Sequence, residues 1–330
     1  MLTALHQQVR RTIRRHGLFP EGSRVLVGLS GGSDSVALTL LLKDLSEHGA
    51  FALAGLAHLN HELRPTAERD ERFCRDFAGA QGLPIQFARG GVQSYAAANG
   101  ASIEEAARNI RYSFLKETAR AVGATRVAVG HTRDDQAETL LMKLIRGAGS
   151  AGLGGIYPVR DCIVRPLLDV SRSELREFLS SRSQSWVDDE TNEDIGNPRN
   201  RIRINVLPEL GRALDGDPRP SIARAAALLR EDGEWLDAEA QRAAEVGIRR
   251  DGEVAALDVA FVRQLPRPIQ RRVIRAALLG VSADREVGHE HVEAVRDVLN
   301  GLSGGVDVPG GRVERSGDRV LLLARKVVPK

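Results

Sequence analysis

The stretch Val25-Leu26-Val27-Gly28-Leu29-Ser30-Gly31-Gly32-Ser33-Asp34-Ser35 decides the fold of the chain. Val25, Leu26, Val27 and Leu29 form the short apolar run of a strand covered on both faces. Gly31 and Gly32 let the backbone turn sharply and approach a ligand where a Cβ would clash. Ser33, Asp34 and Ser35 are helix-start residues, and Val36, Leu38, Leu40, Leu41 and Leu42 supply the buried side of the helix that follows. Such a loop aims backbone N–H groups and the positive end of a helix at one point, which makes it an anion site, most naturally for phosphate.

The loop lacks the Lys-Ser/Thr pair of the usual ATPase loop and the spacing of a dinucleotide fingerprint. Ser30-Gly31-Gly32-Ser33-Asp34-Ser35 instead resembles the pyrophosphate-binding loop of the N-type ATP pyrophosphatases, which split ATP between the α and β phosphates. The alternative is an ordinary strand-turn-helix, with glycine for geometry and Ser/Asp for capping.

Outward from the loop, the chain alternates strand and helix. Leu2 to Phe19 reads as an amphipathic helix ended by Gly17, Phe51 to Ala57 as a buried strand and Thr66 to Gln81 as a helix. Pro84 to Ala88 is a short strand, Gly90 to Gly100 a loop of small residues, and Ser102 caps a helix carrying Arg108 and Arg111 on one face. Arg126 to Gly130 is a strand, Asp134 or Asp135 caps the helix after it, and Gly147 to Gly155 is a glycine-rich loop. This is an α/β domain with a doubly wound parallel sheet. The clearest linker, Asp215-Gly216-Asp217-Pro218-Arg219-Pro220, separates a first domain over 1–215, which holds the loop, from a smaller, mainly helical domain over 216–330 that ends in short strands.

The bulk numbers bound the function. At 330 residues, 42% hydrophobic and 28% charged, the chain is an ordinary globular protein with no bilayer-spanning run and no signal peptide, which points to the cytoplasm. Cys74 and Cys162 make no C-x-x-C pair, so neither a zinc ribbon nor an iron–sulfur site is suggested. The net charge is only +3 with a pI near 9.1, and arginine clusters at Arg10–Arg15, Arg199–Arg203 and Arg271–Arg275 permit contact with nucleic-acid phosphates, the alternative being solvated faces.

Two polar clusters follow strands, as the loop does: His58-Leu59-Asn60-His61-Glu62-Leu63-Arg64, and His131 through Glu138. Polar groups past the C-terminal ends of parallel strands line one crevice. Together with Glu104-Glu105-Ala106-Ala107-Arg108 through Arg111-Tyr112, Arg165-Pro166-Leu167-Leu168 and Asn200-Arg201-Ile202-Arg203, these stretches resemble the tRNA(Ile)-lysidine synthase family from about residue 20 to 205. Many members carry a further C-terminal domain, which this chain is expected to be too short to hold.

The resemblance implies a two-step reaction. ATP adenylates C2 oxygen of the cytidine at the first anticodon position of a tRNA(Ile) with a CAU anticodon; the ε-amine of free L-lysine then attacks C2 and expels AMP. Under that reading Ser30, Gly31, Gly32, Ser33, Asp34 and Ser35 bind ATP, and Asp34 either meets Mg²⁺ or caps its helix. Arg111 and His131 stabilise charge at the α-phosphate, Asp135 and Glu138 receive lysine, and His58, Asn60, Arg64, Arg201 and Arg203 contact tRNA. His58 and His61 have the alternative of being surface histidines with satisfied hydrogen bonds. The competing functions are a sulfur-inserting tRNA enzyme of the same superfamily and a non-catalytic nucleotide-binding module. The oligomeric state, monomer or homodimer, is left open.

Overall fold

The computed structural model describes residues 2–49, 51–60, 67–188, 194–251, 254–282 and 285–325. The chain divides into two compact units, Met1–Arg230 and Glu231–Lys330, and the division falls inside one long helix.

The first unit is built on a six-stranded sheet. In chain order its elements are α1 (Ala4–Arg15), β1 (Ser23–Gly28), α2 (Ser33–Ser46), β2 (Phe51–Asn60), α3 (Ala67–Gln81), β3 (Ile85–Arg89), α4 (Val92–Asn99), α5 (Ile103–Ala121), β4 (Arg126–Ala128), α6 (Arg133–Ile145), α7 (Ser150–Leu153), β5 (Val159–Arg160), β6 (Ile163–Val164), α8 (Arg172–Ser181), α9 (Pro198–Arg201), a π-helical turn (Ile202–Val206), α10 (Leu207–Ala213) and α11 (Arg219–Gly247). The strand order is β3-β2-β1-β4-β6-β5, parallel except for β5 at one edge. β1 is therefore interior, hydrogen-bonded to β2 on one side and β4 on the other.

The apolar run of β1 has the pleat period of 2. Val25 and Val27 pack into a core with Leu38, Leu41 and Leu42 of α2 and Leu175 and Leu179 of α8. Leu26 faces the other way, into a core with Ala57, Leu115 of α5 and Val127. All three β1 residues are fully buried, so helices cover both faces of the sheet, as the continuous apolar run requires. Each such side chain contributes about 1.5–3 kcal/mol relative to exposure.

Two local expectations need correction. The Gly90–Gly100 stretch is not a loop: it holds α4, which buries Val92 and Ala96 against Ala106 and ends at Gly100 in the left-handed conformation. Small residues pack close there, so the helix shows almost no apolar stripe. The helix after β4 is capped by Thr132 rather than by Asp134 or Asp135. Thr132 Oγ1 accepts from the Asp135 N–H, and the Asp135 carboxylate accepts from the Thr132 N–H at 2.8 Å. This is a capping box with Asp in the Glu position.

The second unit holds the end of α11, β7 (Ile248–Asp251), β8 (Val254–Asp258), α12 (Val259–Gln264), α13 (Arg267–Leu279), α14 (His289–Asn300), β9 (Gly305–Val308), β10 (Gly311–Ser316) and β11 (Arg319–Ala324). Helices make up most of the unit and strands close it, as the patterning predicts. β7 and β8 were not foreseen; they complete an antiparallel sheet of order β7-β8-β11-β10-β9. Val273, Ile274, Ala277 and Leu278 of α13 pack with Val295, Val298 and Leu299 of α14 and with Leu257, Val313, Val320 and Leu322 of the sheet. Among the described residues no helix is long and apolar enough to cross a membrane.

Candidate active site

The C-terminal ends of β1, β2 and β4 open into a cleft of about 1040 Å³. It brings together Ser30, Gly32, Ser33, Asp34 and Ser35 from the loop, His58 and Asn60 from β2, Arg108, Arg111 and Tyr112 from α5, and His131 and Asp135 from the start of α6. Arg172 of α8, Asn197, Arg199 of α9 and Arg203 of the π-helical turn close another wall. Topology alone explains the convergence of the loop, the β2 residues and the start of α6, since each lies at the C-terminal end of a parallel strand.

The loop is folded around its own hydroxyls. Ser35 Oγ accepts from the Ser30 N–H at 3.1 Å and donates to the Gly32 carbonyl at 3.0 Å, and the Gly32 N–H points at Ser30 Oγ at 3.4 Å. The N–H groups of Ser30 and Gly32 are thus engaged within the loop. Gly31 is turned away from the cleft. Its φ is +88°, and a Cβ there would lie 3.3 Å from Cys74 Sγ and 3.4 Å from Phe73. Its carbonyl accepts from the Val187 N–H at 2.9 Å. Gly130, at the end of β4, allows a close approach of another kind. A Cβ there would stand 3.2 Å from the backbone of Asp34 and Ser35, so this glycine lets the strand end sit on the first turn of α2.

The acidic residues are not open carboxylates. Asp135 Oδ1 receives Arg172 Nη2 at 3.3 Å and Arg199 Nη2 at 3.0 Å. Its Oδ2 receives the Thr132 N–H and hydroxyl. Glu138 lies behind the wall and is fully buried. Arg199 Nε reaches it at 2.7 Å, and Arg203 Nε and Nη2 reach it at 2.6 and 3.1 Å. Burial alone would raise the Asp135 pKa, but Arg172 and Arg199 outweigh it and hold the carboxyl well below its usual range. Asp34 donates nothing and accepts twice, from Ser33 Oγ at 3.1 Å and Arg172 Nε at 3.1 Å. Burial, and then the nearby Asp135, push its pKa up despite Arg172.

The two histidines of the cleft are held neutral. His58 Nδ1 donates to the Leu29 carbonyl at 2.9 Å, which leaves Nε2 as an acceptor, and burial lowers its pKa. His58 is therefore a buried link between β2 and the loop, with Phe87 edge-on at 5.8 Å. Burial lowers the His131 pKa further, aided by Arg165, Arg111 and Arg199, and Nδ1 is buried with no hydrogen-bond partner among the described residues. Asn60 donates to Glu71 and to the Ala67 carbonyl. Arg111 is exposed to the cleft beside the Tyr112 ring, with Arg108 over the same ring at 5.1 Å. Tyr112 in turn accepts from Arg165 Nη2 at 3.4 Å.

Of the arginines expected at RNA, Arg203 faces Glu138, and Arg201 is exposed, donating to the carbonyls of Ile195 and Gly196. Arg64 lies outside the described residues, as do residues 189–193. In the second unit, Arg271 and Arg272 pair with Glu293 and Asp237. Arg172 was missed in the sequence, where it is one more arginine after a capping serine. Its only signal is position: it opens the helix that follows the last parallel strand, at the end of the sheet where the cleft lies. Among the described residues no three His, Cys, Asp or Glu side chains are placed to hold a metal ion.

Residues 1–210 match the PP-loop domain, and residues 257–321 match the TilS substrate binding domain. The tRNA(Ile)-lysidine synthase of Geobacter sulfurreducens is 38% identical over 299 residues, covering 88% of this chain and 62% of that protein. That of Thermosynechococcus vestitus is 32% identical over 330 residues, covering 98% of this chain and 93% of that protein. The chain spans about three fifths of the length of the first two curated relatives it matches, 62% and 60%. Among solved structures, the U34-tRNA thiolase NcsA of Methanococcus maripaludis superposes with a TM-score of 0.56 at 19% identity, over 68% of this chain and 78% of that one, a likeness of fold.

Proposed function

The chain belongs to the tRNA(Ile)-lysidine synthase family, and we propose that it uses ATP to join free lysine to C2 of the first-position cytidine in the CAU anticodon of tRNA(Ile). The observation that carries the proposal is the cleft itself. It joins an anion-binding loop at a helix N-terminus to a wall of paired carboxylates and arginines, with a neutral imidazole and an exposed arginine between them. Its volume is at the upper end of what a single small ligand needs, and suits a nucleotide together with a flipped-out base.

The triphosphate of ATP lies on Ser30–Ser35, where loop amides and the α2 dipole favour negative charge. The pyrophosphate displaces the weak internal bond of the Gly32 N–H. Asp34 is the one loop carboxylate in the cleft, which fits the share a protein gives a Mg²⁺ ion held mainly by phosphates. Bound there, Mg²⁺ would neutralise charge on the departing pyrophosphate. The cytidine C2 oxygen attacks the α-phosphorus as the bond to pyrophosphate breaks. Arg111, with no acidic partner among the described residues, and neutral His131, with an open Nδ1, are free to follow the charge on the equatorial oxygens. Lysine binds with its ammonium toward Asp135, and Glu138 acts from behind by fixing Arg199 and Arg203. The ε-amine of lysine, its ammonium proton released to solvent, then attacks C2; the bond from C2 to the adenylated oxygen breaks and AMP leaves with that oxygen. His58, Asn60 and Arg201 border the path of the RNA, and the second unit adds tRNA contacts.

The test is incorporation of labelled lysine into tRNAs differing in the anticodon, in the presence of ATP and Mg²⁺. Label is expected only in the isoleucine tRNA with the CAU anticodon, with AMP and pyrophosphate formed in equal amounts. Pyrophosphate release without lysine transfer, or sulfur transfer instead, would overturn the proposal.

A further inference from the structure

Arg172 touches both ends of the cleft. It is the first residue of α8, and its backbone N–H donates to Asp134 at 2.9 Å, which clamps the helix start to α6. Its Nε donates to Asp34 at 3.1 Å, on the phosphate side. Its Nη2 donates to Asp135 at 3.3 Å, and Nη1 lies 3.7 Å from Glu138, on the amino-acid side. A planar fork of donors can span two acids in this way, where an ammonium cannot.

We propose that Arg172 is a positioning residue that makes lysine binding depend on the nucleotide, standing on Asp135 in place of lysine until a nucleotide draws it away. The proposal rests on the reading that the cleft takes ATP and lysine. Asp135 has one oxygen committed to Thr132, so an incoming ammonium must use Oδ1. Arg172 and Arg199 already share that oxygen. Arg199 is anchored a second time on buried Glu138. Arg172 meets Glu138 only at 3.7 Å, and its closer second anchor is Asp34, on the first turn of α2 beside the loop. A triphosphate on that loop offers the guanidinium a doubly bonded partner of higher charge. Once Arg172 turns to it, Asp135 keeps its negative charge and loses one competing cation, and lysine binds more tightly. The effect is reciprocal, since coupling between two ligands is a single free energy.

The experiment is equilibrium dialysis of labelled lysine against the whole chain, with and without an ATP analogue carrying a methylene bridge between the α and β phosphates. The analogue is expected to tighten lysine binding by about fivefold or more. In R172Q, lysine without the analogue binds more tightly than in the unsubstituted protein, and the analogue changes it by less than about twofold. Should R172Q fail to fold, R172K serves: its ammonium cannot bridge both acids, and the coupling falls by at least about half. Three results overturn the proposal: no effect of the analogue on the unsubstituted protein, an undiminished effect in the variants, or weaker lysine binding by the variants without nucleotide, as a merely structural prop would give. A protein that binds the analogue but no lysine under any condition overturns the functional reading itself, and so separates the two failures.

Discussion

Arg111 and Glu138 show how differently two charged residues of one site are held. Arg111 stands at the cleft beside the Tyr112 ring, with no ion pair to an acid among the described residues, so its charge is available to a ligand. Glu138 is fully buried and accepts from Arg199 and Arg203 with both oxygens, so its charge is spent within the protein. The two residues therefore fail in opposite ways when altered. Arg111→Ala is expected to leave stability within about 0.5 kcal/mol, because nothing in the fold leans on it. It should slow tRNA-dependent pyrophosphate release by about 100- to 1000-fold, the cost of losing one donor to transition-state charge. Glu138→Gln leaves the half-buried guanidinium groups of Arg199 and Arg203 with a neutral partner in place of a charged one, a loss of about 1.5–3 kcal/mol. Its thermal midpoint should drop by several degrees. Melting curves and initial rates on both variants check the contrast, and equal stability loss in the two would contradict it.

At the scale of elements, the site depends on a strand end resting on a helix start. Gly130 closes β4 against the backbone of Asp34 and Ser35, with 3.2 Å between that backbone and a Cβ on the glycine. Backbone cannot swing aside as a side chain can, so Gly130→Ala must shift the first turn of α2. The core is untouched, and nucleotide-analogue affinity should fall by about tenfold or more, a loss of some 1.4 kcal/mol in binding, with the cooperative melt retained. An unchanged affinity, measured by calorimetry, would mean that the loop does not depend on this contact. The same scale separates what patterning reveals from what it hides. The apolar run Val25 to Leu29 identifies an interior strand because its period of 2 faces two cores. The polar clusters at His58 and His131 identify the cleft because each follows such a strand. The α4 helix was hidden because Val92 and Ala96 bury it with little apolar side chain. The role of Arg172 was hidden for another reason. Its partners Asp34 and Asp135 lie 138 and 37 residues away, and no local pattern encodes which acid an arginine meets across a sheet. For the same reason Asp135 and Glu138 read from sequence as open carboxylates, although arginines already occupy them.

At the scale of the molecule, two units with separate cores allow the two halves of the proposed activity to be damaged independently. The cleft and all its described residues lie in the unit Met1–Arg230. The core of the second unit gathers α13, α14 and the five-stranded sheet around fully buried residues such as Ile274. Ile274→Ala removes three carbons from that core at a cost of about 2–5 kcal/mol, set by how far the neighbours collapse. None of those neighbours belongs to the cleft. Nucleotide-analogue binding should therefore stay within about twofold, since sites that share no partners act nearly additively. If the second unit supplies tRNA contacts, lysine incorporation at limiting tRNA should fall as the apparent KM for tRNA rises. Incorporation at saturating tRNA should recover. The salt dependence adds a second check, because each lost phosphate contact lowers the slope of log affinity against log salt by about 0.9 for a duplex and 0.7 for a single strand. A variant that unfolds the second unit yet keeps both the KM for tRNA and the salt slope would assign tRNA binding to the first unit alone.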